Sequence, residues 1–123
     1  MEFKIWLESY VWEDELNDAG GKIEPDGTVL VYHATTQNKA KMILDEGILR
    51  NPANTPDSYG VYFAAGKEAV EYAKSSYGDG TVLPMKVLAK DLKIDDVAPG
   101  RWVAFYAYTK NGIYRPVWIG NPL

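Results

Sequence analysis

The order of its short β-prone and helical runs constrains this chain most. Segments rich in β-branched and aromatic residues recur at Thr28–His33, Gly60–Ala64, Thr81–Ala89, Trp102–Tyr108 and Ile113–Ile119, each set off by turn residues. Helical periodicity falls before and between the first three, over Phe3–Leu16, Gln37–Glu46 and Lys67–Tyr77. Helix, β, α, β, α and then strands alone suits an α+β domain with segregated helices better than repeated βαβ crossovers. Length adds that 1–123 is one domain, with an N-terminal amphipathic helix within 1–19 and a core over 28–123.

Local chemistry sharpens the boundaries. Phe3, Trp6, Leu7, Tyr10 and Val11 share one helical face, opposite Glu8, Glu13, Asp14 and Glu15. Alternation at Phe3, Ile5 and Leu7 also suits a strand, so the first turn stays open. Asn17–Gly27 reads as a connector. Thr35 or Thr36 caps the second helix, Ala40, Ile43 and Leu44 form its apolar stripe, and Gly47 stops it. Ile48 and Leu49 lead into a loop, Arg50–Tyr59, which is either a lid beside a pocket or an ordinary surface connection. Pro84 marks the fourth run as an edge strand or a bulge, and Leu92–Ile94 extends or follows it. Asn111-Gly112 predicts a tight hairpin whose return strand, Ile113–Ile119, is interrupted by Pro116.

Composition excludes several chemistries. There is no cysteine, hence no disulfide, thiol nucleophile or cysteine-ligated zinc, and one histidine cannot make a histidine-rich metal site. No metal site is expected. No apolar run approaches the roughly 18 residues of a membrane span, and the N-terminus lacks a signal-peptide layout. The expectation is a soluble, cytoplasmic protein without membrane contact, or one delivered into a host cell if it is an effector or toxin, which its small size suits. The net charge is −4 and the thirteen Lys and Arg residues are scattered, so general nucleic-acid binding is not expected. Engagement of a single base or nucleic-acid end stays compatible. No GxSxG elbow, P-loop or GxGxxG is present. Nine Tyr, four Trp and three Phe suit either a β-rich core or rings that stack on a ligand.

The lone histidine, His33, ends a strand and precedes a helix cap. His33-Ala34-Thr35, the helix run Ala40-Lys41-Met42-Ile43-Leu44-Asp45-Glu46-Gly47, the strand Gly60-Val61-Tyr62-Phe63-Ala64 and Tyr72 follow one another in order. In this arrangement the chain resembles the ADP-ribosyltransferase fold, in its diphtheria-toxin and poly-ADP-ribose-polymerase branch, over Val29 to about Lys74. The resemblance implies a split antiparallel sheet with flanking helices. It implies NAD as substrate and mono-ADP-ribosyl transfer to an unidentified protein or nucleic-acid acceptor.

On this resemblance His33 and Tyr62 are the catalytic residues. His33 would hydrogen-bond a ribose hydroxyl, and the Tyr62 and Tyr72 rings would sandwich the cationic nicotinamide. Backbone groups of Ala34 would hold its carboxamide, and Thr35 would combine capping with a ribose contact. Ala69 stands where the family often has a serine. Ala34 replaces the family glycine, and the tyrosines lie one residue closer together than the family spacing. A late-strand glutamate is missing: none follows Glu71, and Ala104 or Tyr106 takes its position. That argues against chain elongation and keeps open a catalytically inactive NAD- or ADP-ribose-binding module. An NAD-dependent RNA 2′-phosphotransferase-like enzyme is a weaker alternative, because Arg50, Arg101 and Arg115 are too few for its phosphate site.

Overall fold

The computed structural model describes residues 12–51, 60–66, 71, 80–94 and 104–123. Helix α1 covers Glu13–Asp18, β1 Thr28–Thr35, α2 Gln37–Glu46, β2 Leu49–Arg50, β3 Gly60–Ala64 and β4 Thr81–Leu88. A single 3-10 turn, Ala89–Asp91, leads to β5 at Leu92–Ile94, then β6 at Ala104–Tyr108, β7 at Ile113–Tyr114 and β8 at Trp118–Ile119. The architecture is α+β. Six strands form an antiparallel sheet in the order β5-β6-β3-β1-β4-β8, and β2 and β7 form a separate antiparallel pair.

β1 begins where Asp26 turns back on Thr28. The Asp26 carboxylate accepts from the Thr28 amide at 3.0 Å and from its hydroxyl at 2.6 Å, bonds that hold this carboxyl below its usual range. Val29 and Val31 point into the core, joined by Leu83, Met85 and Val87 of β4 and by Phe105 of β6, all fully buried. α1 belongs to this core. Trp12 packs edge-on against Phe105 at 5.9 Å and donates its indole N–H to the Leu92 carbonyl at 3.1 Å, while Leu16 is fully enclosed.

Several expectations change. α1 starts only at Glu13, with Trp12 as its N-cap, so the expected helix does not run unbroken through Trp12; it ends at Asp18, two residues past the expected end, and the expected turns before Trp12 lie outside the described residues. β1 continues to Thr35, because Thr35 pairs with Thr81; the cap is Thr36, whose hydroxyl accepts from Lys39 N–H at 3.3 Å. α2 has the expected bounds and is closed by Gly47 at φ +71°, but of the expected stripe only Ala40 and Ile43 are buried and Leu44 is exposed. The loop expected from Arg50 starts one residue later, since Leu49–Arg50 is a strand.

Pro84 does not put β4 at the edge. The carbonyls of Val82, Pro84 and Lys86 accept from Leu123, Gly120 and Val117, so the even positions of β4 turn away from β1. The missing Pro84 N–H therefore falls on that outer flank and removes nothing from the β1 ladder. β4 also ends at Leu88, because Ala89 opens the 3-10 turn.

The Asn-Gly hairpin forms: Lys110 and Ile113 exchange both main-chain bonds around Asn111 at φ +57° and Gly112 at φ +75°. The single return strand does not. Pro116 splits it into β7, which pairs with β2, and β8, which pairs with β4. The late aromatic strand is described from Ala104, with Trp102 and Val103 outside. The expected helix Lys67–Tyr77 also lies outside, Glu71 excepted, which is helical. No described helix is long and apolar enough to cross a membrane.

Candidate functional site

β1 is joined to β4 along all eight of its residues, from Thr28↔Leu88 to Thr35↔Thr81. To β3 it is joined through one pair, Tyr32↔Ala64. The next hydrogen-bonded pair in that register would be Ala34 with Tyr62, and it does not form. The Tyr62 carbonyl instead lies 2.8 Å from Nδ1 of His33. A side chain occupies the place of a ladder bond, and beyond it β1 and β3 form a fork.

The chemistry of that contact fixes the tautomer. A carbonyl oxygen only accepts, so Nδ1 of His33 carries the proton and donates it. Burial pushes the pKa of His33 down, the Tyr62 carbonyl opposes this, and the Lys39 ammonium adds to the lowering. The neutral imidazole therefore dominates near neutral pH, with Nε2 as an acceptor.

Ladder alternation also sets the direction of Ala34. Residues 29, 31, 33 and 35 face β4 with their peptide groups, so the N–H and C=O of Ala34 turn towards β3 and face the fork. The methyl group of Ala34 packs with Ala64 and Val82.

The rings around the fork separate by face. The His33 ring meets Phe63 edge-on at 6.0 Å, and Phe63 in turn meets Tyr114 at 6.1 Å, on the core side. The Tyr62 ring is on the opposite face, 46% exposed, and lies 5.8 Å from the ring of its cross-strand partner Tyr106. His33 is thus brought to the main chain of Tyr62 and not to its phenol. Thr35 is buried on the core side, in the β4 ladder and without a capping role. Tyr72 and Ala69 lie outside the described residues. Of the two positions expected to replace the late glutamate, Ala104 lies across from Ala64 and Tyr106 directly across from Tyr62.

Three residues shape the site without having carried a role in the sequence reading. Phe63 supports the imidazole and sits inside the Gly-Val-Tyr-Phe-Ala run, where alternation alone marks it as inward. Asn51 donates its side-chain amide to the Gly60 carbonyl at 2.7 Å and its backbone N–H to Gly112 at 2.8 Å. It ties the start of β3 to the β7 hairpin, and nothing in its sequence context signals this. Gly60 lies beneath Tyr106: a Cβ there would stand 2.7 Å from the Ala107 carbonyl oxygen. No protein-family model, curated protein or solved structure matches this chain.

Proposed function

We propose that this protein is a mono-ADP-ribosyltransferase that consumes NAD, with the nicotinamide end seated in the fork between β1 and β3. The observation that carries the reading is the peptide group of Ala34, whose N–H and C=O both face the fork. A primary carboxamide offers the complementary pair, one C=O and one N–H, so two parallel hydrogen bonds would orient the pyridinium ring. The Tyr62 ring, on the sheet face opposite the His33 imidazole, would offer an aromatic face to the pyridinium from that side of the fork. Nε2 of His33, held as an acceptor by the Tyr62 carbonyl, would take a hydrogen bond from a hydroxyl of the nicotinamide ribose.

In the reaction the bond between the ribose C1′ and the nicotinamide nitrogen breaks, and its electron pair leaves with neutral nicotinamide. The acceptor's nucleophilic atom bonds to C1′ and loses its proton. Positioning and electrostatics supply the rate. A second reading, a module that binds NAD or ADP-ribose without transfer, is favoured by Tyr106. That residue stands beside Tyr62, where the resemblance places a carboxylate.

The test is to incubate the full chain with NAD and lysate acceptors and measure free nicotinamide, alongside a binding titration. Transfer predicts release that falls at least tenfold in His33→Ala. It also predicts weakened binding of the analogue with nicotinic acid in place of nicotinamide, because a carboxylate cannot donate to the Ala34 carbonyl. Binding without release selects the second reading. Neither binding nor release overturns both.

A further inference from the structure

A cavity of about 590 Å³ opens where the Asn111-Gly112 hairpin folds back beside the 3-10 turn and β5. It is built from chain segments that are distant in sequence, and it gathers Lys90, Lys93, Lys110 and Arg115, all exposed. Four of the thirteen cations of a chain with net charge −4 thus line one concavity. Among the described residues none of the four makes an ion pair, the one salt bridge being Arg50–Glu46. Among the described residues the single acid in the lining is Asp91, whose Oδ2 accepts from the Tyr114 hydroxyl at 3.0 Å.

Four cations around one concavity give it a positive potential, which favours a ligand with several negative charges. The cavity volume is that of a small-molecule site. The acidic remainder of the chain disfavours an extended polyanion that would run past the cavity. Tyr108 adds a flat partner: its ring is 55% exposed in the cavity wall and braced edge-on by Tyr106 at 5.4 Å. Exposed tyrosine faces stack on nucleobases.

We infer that this cavity is a second nucleotide site, which takes a nucleoside di- or triphosphate with its phosphates among the four cations and its base on Tyr108. The inference does not rest on NAD binding at the fork.

Calorimetric titration of the full chain with ADP, pyrophosphate, adenosine and a 12-nucleotide single-stranded RNA tests it. ADP and pyrophosphate should bind saturably and adenosine should not. The double variant Lys110→Glu with Arg115→Glu should weaken ADP at least tenfold, while its melting curve shows that it folds. Tyr108→Ala should weaken ADP and leave pyrophosphate unchanged, and His33→Ala should leave both unchanged. Absence of saturable ADP binding, or ADP binding indifferent to the double variant, would overturn the inference. So would RNA binding more tightly than ADP, or NAD displacing ADP through Lys110 and Arg115, which would make the cavity part of the fork's own site.

Discussion

The two flanks of β1 share one backbone and behave in opposite ways. On the β4 side every residue is paired, and the side chains that meet there, Val29, Val31, Leu83, Met85 and Val87, are fully buried. On the β3 side one pair holds, then an imidazole replaces the ladder and the peptide of Ala34 faces the fork. Complete pairing with β4 anchors the strand, so its pairing with β3 can be reduced to a single residue pair without releasing it. If the fork binds a ligand as proposed, stability and recognition are divided between the two flanks of one strand.

Substitutions on each flank can break that division. Leu83→Ala, which removes a fully enclosed side chain opposite His33, should cost about 3 kcal/mol, read from the midpoint of denaturant unfolding. Tyr62→Ala on the open flank should cost less than about 1 kcal/mol, and equal losses at the two positions would end the distinction. Gly60→Ala should come next, at about 2 kcal/mol, because the atom it crowds is a backbone carbonyl that cannot rotate away. Thr36→Ala, which deletes the cap of the helix leaving the open end of β1, should cost about 1 kcal/mol and shorten α2 by circular dichroism.

The smallest effect should be a slope with pH. The folded-state pKa of His33 lies below its ordinary 6.5, so the unfolded chain binds more protons. This contribution is complete above pH 6.5 and is lost as pH falls below it. In His33→Gln the decline between pH 7 and 5 should be shallower, and parallel curves for the two proteins would refute the neutral, half-buried imidazole.

Wherever local chemistry decides, the sequence was legible. The strand Gly60–Ala64, the helix Gln37–Glu46 with its Gly47 stop and the Asn111-Gly112 turn are each written in their own residues. Pairing partners were not. Pro116 was visible as an interruption, but that β7 leaves for β2 and β8 for β4 depends on contacts between distant segments. The same holds at the site. His33 and Tyr62 could be singled out, yet the joining of imidazole to carbonyl rather than ring to ring follows from register. Lys90, Lys93, Lys110 and Arg115 looked scattered because a cavity has no one-dimensional signature.

The bonds that Val117, Gly120 and Leu123 donate to β4 have a consequence for solubility. An eight-residue strand with a free side is a template for a second molecule, and here its outward carbonyls are occupied and Pro84 offers no hydrogen. Among the described residues, the two margins of the sheet are β8, two residues long, and β5, three residues long with Lys93 exposed. Neither described margin offers a second molecule more than three residues of ladder, so the long, well-paired β1–β4 ladder stays inside the sheet and away from its edges.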